Sequence, residues 1–362
     1  MDGPVAAARP SAMNPVARLR AACRSEAVDR PPVWLMRQAG RYMSEYRALR
    51  ARHGLLEICR SPALAAEVTI TAAERLGTDA AIVFADLLLP AEVLGFKLEF
   101  TAGEGPRLSP PLREPARIAR LPEQWGGALG FVSEAVRRVA AHFGDATPVI
   151  GFAGAPFTLA SYLIEGGSSR HYTETKRLML DHPAAWDELM RKLSAGLAEL
   201  CREQAAAGAA ALQLFDSWAG ALSEHDYRRQ VLPHNQRLVA AVKETGAPVI
   251  YFSTGTNGYL EAIADTGADV LSLDWRIELG AAWQRLDARG APVPALQGNL
   301  DPAVLLSTPA VVQAAVERQL RQAAGRRGYI FNLGHGILPE TPVERVEALV
   351  RWAQGVRVAA GD

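Results

Sequence analysis

The amino-acid sequence predicts an α/β protein, a single (β/α)8 TIM barrel with a short hairpin insertion after the second strand. Three observations carry that expectation. Eight short β-rich runs recur along the 362 residues. Between them lie longer segments with apolar residues at three- and four-residue spacing, the period of a helix with one buried face. The first run continues into RQAGRY, without the GxGxxG turn that an open doubly wound sheet would carry there. Continuous apolar strands alternating with helices make a parallel sheet covered on its outer face. Eight of them can close on themselves and leave no edge exposed.

In chain order the expected strands are residues 32–36, 80–86, 148–154, 211–217, 248–253, 270–274, 294–297 and 329–333. PAAWDELMRKLSAGLAELCREQAAAG reads as one helix closing on Gly208, and YRRQVLPHNQRLVAAVKETG as another closing on Gly246. KLEFTAGEGPRLS reads as a hairpin turning around Gly103 and Gly105, and SPPLREPARIARLP as a proline-rich link into the next helix. Residues 1–13 are expected to be a flexible tail and residues 14–362 one barrel domain.

Composition narrows the function. Lys+Arg and Asp+Glu both number 39, so the formal net charge is zero. Nucleic acid as the main partner would call for a basic surplus and is not expected. The longest apolar stretch, AAIVFADLLLPAEVLGF, is broken by Asp86 and Pro90 and is too short to span a bilayer, so no membrane partner is expected. Cys23, Cys59 and Cys201 are odd in number, far apart and in no ligand spacing, which predicts no metal site and a reduced, cytoplasmic chain.

Active sites of such barrels sit where the strands finish. The residues standing there are Arg37 and Arg41, Asp86, Phe152 with Tyr162 beyond it, Asp216 and Ser217, Ser253, Asp274, Gln297 and Asn299, and His335. No lysine ends a strand, which argues against a Schiff-base aldolase. No HxH, HExxH or GxSxG is present.

Arg37 and Arg41 lie four apart directly after a strand. They read either as a solvated basic face or as a clamp for a polycarboxylate, with Gly40 allowing close backbone approach. Asp86 is carried to the barrel rim by an apolar run. It is either satisfied structurally or held as an anion in a dry site, to bind N–H donors or to stabilise a developing cation. His335, between two glycines after the last strand, is either structural or functional. Tyr162 and Ser217 fit ordinary packing or capping as well as a site, and Asp216 and Asp274 fit arginine-paired scaffolding.

PVWLMRQAGRY (32–42) and GFAGAPFTLASYLIEGG (151–167) resemble the two signature stretches of the uroporphyrinogen decarboxylases. LQLFDSWAG (212–220), LQGNLDP (296–302) and NLGHGILPETP (332–342) resemble further motifs of that family. The likeness runs from about Asn14 to the C-terminus. YFSTGTNGYLEAI (251–263) departs from the family's commoner lysine- and glycine-containing version, around Ser253 to Asn257.

The resemblance implies a cofactor-free carboxy-lyase of haem biosynthesis, a homodimer whose two clefts face each other. Its substrate would be uroporphyrinogen III, whose four acetate arms are trimmed to methyls, giving coproporphyrinogen III and CO2. Carried over by motif, Arg37, Gln38, Ala39, Gly40 and Arg41 form a substrate-binding loop. Asp86 is the central carboxylate beneath the pyrrole N–H groups, and Tyr162, Ser217 and His335 are further substrate contacts. Phe152 lines an apolar wall. Asp86 and Arg37 are the catalytic pair that this resemblance implies. The rival expectations are a related barrel that moves methyl groups from a corrinoid protein to a zinc-activated thiol, and a silent tetrapyrrole carrier.

Overall fold

The computed structural model describes residues 13–101 and 105–355. The expected tail therefore lies outside the described residues, apart from Met13, whose N–H donates to Asp29 Oδ2 at 3.1 Å. Seven parallel strands make one curled sheet: β1 (Ala81–Ile82), β4 (Val149–Gly154), β5 (Ala209–Asp216), β6 (Val249–Ser253), β7 (Val270–Ser272), β8 (Ala295–Leu300) and β9 (Tyr329–Leu333), neighbours in that order. Between β1 and β4 the antiparallel hairpin β2 (Lys97–Thr101) and β3 (Gly105–Ser109) is inserted, as expected. Its turn residues 102–104 lie outside the described residues.

The first expected strand survives as one parallel bridge, Val33 to Phe331. Its composition explains why. Pro31 and Pro32 have no N–H to donate, so Pro32 only accepts, from Phe331 N–H at 2.9 Å. Past Trp34 the ladder is replaced by a side chain, because Met36 N–H donates to Asn332 Oδ1 at 3.0 Å. On the other side Asp79 N–H donates to Val33 C=O at 2.7 Å. Val33 thus closes the ring between β9 and the entry to β1.

That seam is clamped by a buried ionic cluster. Asp79 Oδ2 accepts the Val33 N–H at 2.9 Å, and the Arg30 guanidinium grips both Asp79 oxygens at 2.5 Å. Arg18 adds a contact to Asp79 at 3.3 Å and a two-point grip on Asp29 at 2.6 and 2.8 Å. The Asp29 carboxyl is held down to about 2, burial opposing this and the Arg18 hydrogen bond leading the terms that lower it.

The barrel interior is filled by Trp34, Met36, Ile82, Ile150, Ala211, Ile250, Phe252, Val270, Ala295 and Ile330. The helix Pro15–Cys23 plugs its base with Leu19, Ala22 and Cys23. One polar layer crosses this core. Trp34 Nε1 donates to Gln297 Oε1 at 2.9 Å, and Gln297 Nε2 donates to Gln213 Oε1 and Ser272 Oγ, each at 2.9 Å. Gln297 is therefore a core residue. The helices pack a second apolar layer on the outer face of the sheet.

Several boundaries differ from expectation, two of them for evident local reasons. β1 ends early because the Phe84 N–H is taken by Thr69 Oγ1 at 2.9 Å, which peels residues 83–88 off the sheet. The single helix expected before Gly246 is two, Glu224–Gln230 and Leu232–Lys243, broken at Val231. Pro233 cannot donate back into a continuous helix.

Removing one partner of a buried ion cluster leaves the others uncompensated, at about 3–5 kcal/mol. Asp79→Ala should therefore lower the stability measured by urea unfolding by about that much. A loss below about 1 kcal/mol, the range of an exposed pair, would show that the seam does not depend on this carboxylate.

Candidate active site

The strand C-terminal ends converge at one mouth. Residues 35–43, just past the Val33 bridge, form its first loop, and Arg37 adopts φ +59° there. A left-handed conformation costs a non-glycine residue roughly 1–2 kcal/mol and persists only where neighbours fix it. The fixing contacts are visible. Gln38 N–H donates to Leu35 C=O at 3.0 Å, Tyr42 OH donates to Gln38 C=O at 2.5 Å, and Arg47 donates to the Arg41 and Tyr42 carbonyls at 2.9 and 2.8 Å. Arg37 and Arg41 are exposed, and neither guanidinium has an ion-pair partner among the described residues.

The other members of that loop also make contacts within the protein. Gln38 is buried, with its amide engaged by Leu35 N–H at 3.4 Å and Ala80 C=O at 3.3 Å. Ala39 packs partly against the core. A Cβ on Gly40 would lie 3.3 Å from Arg37 O, so the close approach this glycine permits is to its own loop.

Asp86 sits in the loop after β1, half-buried in a small recess that Ala85, Leu129, Phe152 and Gly154 also line. Its Oδ1 accepts one bond, from Leu88 N–H at 2.9 Å. Burial pushes its carboxyl up from the ordinary range, while that hydrogen bond and the nearby Arg37 charge pull it down. Tyr162, on the helix Pro156–Glu165, is half-buried. Burial and the Asp86 charge raise its hydroxyl pKa, and Arg37 lowers it. Arg37, Asp86 and Tyr162 thus share one electrostatic neighbourhood.

His335 belongs to the same neighbourhood. Its pKa is lowered to about 4 by burial first, then by the Arg37 and Arg276 charges. It is a neutral imidazole at physiological pH. Its flanking glycines are explained by contact. A Cβ on Gly334 would meet Trp275 N at 2.5 Å, and one on Gly336 would meet Arg37 Cδ at 2.4 Å. The last loop is wedged between Arg37 and the turn after β7.

Asp216 and Asp274 do not share the arginine pairing expected of both. Asp274 is paired with Arg276 at 2.5 Å and accepts from Gly255 N–H at 2.7 Å and Asn257 Nδ2 at 2.8 Å. Asp216 has hydroxyl partners instead, Tyr251 at 2.5 Å and Thr158 at 2.8 Å, with Asn235 at 3.4 Å. Ser217 is half-buried; its carbonyl accepts from Thr254 Oγ1 at 2.7 Å. The divergent stretch is therefore framework. Thr254 holds Ser217, Gly255 and Asn257 hold Asp274, and Ser253 and Thr256 bond each other at 2.7 Å.

An aromatic row crosses the mouth. Phe152, Phe215, Phe252 and His335 follow at centroid spacings of 5.6, 5.6 and 6.1 Å, and Trp275 lies 6.4 Å beyond. Trp218 separates Tyr162 from Tyr172, 5.6 Å from each. Of the phenylalanines and tryptophans here the sequence marked Phe152 alone. The missed Phe215, Trp218 and Trp275 each stand within two residues of a predicted strand-end aspartate or serine, a signal too common to single them out.

A profile of the family Uroporphyrinogen decarboxylase (URO-D) matches residues 14–356. The chain belongs to the uroporphyrinogen decarboxylase family. Among relatives named uroporphyrinogen decarboxylase, that of Koribacter versatilis is 54% identical over 332 residues, 91% of this chain and 93% of its own. That of Sorangium cellulosum is 52% identical over 337 residues, 92% and 94% of the two chains. A solved methyltransferase from Methanosarcina mazei superposes with a TM-score of 0.76 at 21% identity, covering 94% of this chain and 98% of its own, and shares the fold.

For this decarboxylase-family chain the thiol-based rival fits poorly. All three cysteines are buried, and burial raises each thiol's pKa, to about 12 for Cys59 and Cys201. None is a ready thiolate. Among the described residues no three His, Cys, Asp or Glu side chains gather as a metal site.

Because the folded His335 titrates near 4 rather than 6.5, the unfolded chain binds its proton first. This contribution to stability is complete above about pH 6.5 and lost as pH falls through about 4. The NMR signal of the His335 ring should stay neutral down to pH 5, and a midpoint above 6 would contradict this assignment. Gly336→Ala should displace the flexible Arg37 stem rather than break the fold. Its expected outcome is at least a tenfold activity loss, roughly a 1.4 kcal/mol effect, with a melting temperature within about 4 °C of wild type. Full activity would mean that the Arg37 position is not critical.

Proposed function

We propose that this protein is a uroporphyrinogen decarboxylase, a carboxy-lyase that converts the four acetate arms of uroporphyrinogen III to methyls, releasing CO2 and coproporphyrinogen III. The observation that carries the mechanistic reading is the pairing of an under-bonded carboxylate, Asp86, with the Arg37 and Arg41 guanidiniums, which have no carboxylate partner among the described residues. A porphyrinogen presents the complementary set, N–H donors at its centre and carboxylates on its rim.

In this reading the macrocycle lies against the partly exposed members of that row, Phe152, Phe215 and His335, and points its pyrrole N–H groups at Asp86. A proton adds to a ring carbon beside the acetate arm, leaving the ring cationic. The bond from the CH2 to the carboxylate then breaks, its electron pair neutralises the ring, and CO2 departs. A second proton on the exocyclic carbon, with loss of the first from the ring, gives the methyl. The net change is CH2COO⁻ + H⁺ → CH3 + CO2.

The residues divide this work by charge. Asp86 stabilises the cationic ring, the kind of preorganised electrostatic contribution that often dominates catalysis. Arg37 and Arg41 grip carboxylate arms with a planar fork that stays charged. Neutral His335 offers a hydrogen bond rather than a charge, and Tyr162 and Ser217 offer hydroxyls. No cofactor enters this scheme, since ring protonation supplies the electron sink. We place the enzyme in the cytoplasm as a homodimer on the family resemblance. Among the described residues no helix is long and apolar enough to cross a membrane.

Anaerobic incubation with uroporphyrinogen III, then oxidation and chromatography, should show products losing carboxylates stepwise from eight to four. Absence of CO2 release would refute the assignment. Asp86→Asn keeps shape and polarity while removing the charge. Its kcat should fall about 10²–10³-fold, the range for losing one preorganised electrostatic group. Wild-type turnover in that variant would refute the role given to Asp86.

A further inference from the structure

The turn after β7 carries a cation that the mechanism above does not use. Arg276 lies over the Trp275 ring at 4.2 Å from its centroid, and its Nη1 donates to buried Asp274 at 2.5 Å. Its side chain is 51% exposed while Asp274 is fully enclosed. One edge of the guanidinium is therefore anchored, and the rest of its five N–H donors have no partner among the described residues.

The turn itself is rigid. Asn299 Nδ2 donates to the Asp274 and Ile277 carbonyls at 2.9 and 2.6 Å, and Arg276 N–H returns to Asp274 Oδ1 at 3.0 Å. Gly334 presses against the backbone at Trp275 with no room for a Cβ. Trp275 stands edge-on to His335 at 6.4 Å. Arg37 approaches the same loop from the other side, through Gly336. His335 is flanked by two preset guanidiniums, and both depress its basicity.

We propose that Arg276, laid on Trp275, is a specificity-determining residue that binds a propionate arm of the tetrapyrrole across the cleft from the arm being decarboxylated. The proposal rests on the function given above. Arg37 shares its neighbourhood with Asp86 and so serves the reacting side. Arg276 lies beyond His335, against a buried carboxylate that fixes it and an indole face that strengthens its hold by cation–π attraction. An arm held there must remain through every round, and only the propionates do.

The test uses the stable oxidised porphyrins, which cannot react. Fluorescence titration should show wild-type protein binding octacarboxylic uroporphyrin and tetracarboxylic coproporphyrin, which share the propionates. Arg276→Gln should weaken both by about tenfold, as expected for one charge-assisted bond. With uroporphyrinogen III the same variant should raise KM about tenfold while kcat changes less than threefold. A structural fault would instead lower the fraction of active enzyme and leave KM unchanged. Unchanged affinity for both porphyrins overturns the proposal, and so does weakening confined to uroporphyrin, which would assign Arg276 to an acetate.

If Arg276→Gln does not fold, Arg276→Lys carries the test. It keeps the charge and loses the fork, and at least threefold weaker binding of both porphyrins is expected. Affinity equal to wild type would overturn the proposal. Lack of CO2 release by the wild-type protein would defeat the proposed function, whereas the porphyrin titrations judge Arg276 independently.

Discussion

The barrel closes through a single residue, and the site inherits its geometry from that closure. Val33 bonds Asp79 through both its N–H and its C=O, and its neighbours Pro32 and Trp34 carry the two bonds to Phe331 of β9, where most parallel strands would offer a ladder of several rungs. Prolines before it and the Asn332 side chain after it remove the remaining rungs. The ionic cluster of Asp79, Arg30 and Arg18 does what the missing rungs would have done. Four residues later the chain reaches Arg37 in a left-handed conformation, already pressed against the loop that leaves β9. The first and last loops of the sequence are thereby fixed to each other, and with them Arg37 and His335.

The acidic residues near the strand ends show what distinguishes a site from a scaffold. Asp79 is saturated by two guanidiniums and a backbone N–H. Asp274 is surrounded by donors, and its carboxyl stays below the usual range despite burial. Asp216 is buried without a cation and its pKa is raised, yet two hydroxyls and an amide occupy it. Asp86 alone among these has one donor inside the chain and sits where a ligand can reach it. An ionised carboxylate can accept about four hydrogen bonds, so Asp86 keeps most of its capacity for an incoming molecule. Arginines divide in the same way. Arg285 is committed to Glu261 and Arg289 to Asp265, whereas Arg37 and Arg41 have no ion-pair partner among the described residues.

The alternation of apolar runs and helical segments made the barrel legible, because parallel strands buried on both faces must be continuously apolar. The strand limits were less legible, since side chains far away in sequence decide them. Thr69 ends β1, and Asn332 substitutes for the ladder at Met36. Arg37, Asp86 and Tyr162 could be marked by motif and by position at strand ends. The inward-facing and outward-facing members of RQAGR could not be told apart, and only the fold shows that the Gln38 side chain is buried. Arg276 was invisible for a similar reason. In the sequence it is one of many arginines, and only the fold shows that Asp274 holds it beside His335.

The separation of Asp86 from Arg37 suits the reaction proposed for this site. Were Arg37 in contact with Asp86, each would satisfy the other, as Arg30 and Asp79 do. The pair would then be a structural brace, with little left for a ligand. Kept apart but within electrostatic reach, Arg37 helps Asp86 stay ionised against burial and still offers its fork to a carboxylate. A substrate with a cationic centre in its transition state and anionic arms would complete both groups at once. The charge of its centre would lower the Asp86 pKa further, so binding the protonated ring and ionising Asp86 are mutually reinforcing. In the proposed mechanism that coupling would favour the protonated intermediate over the neutral substrate, and one fixed carboxylate would accelerate the reaction without transferring the proton itself.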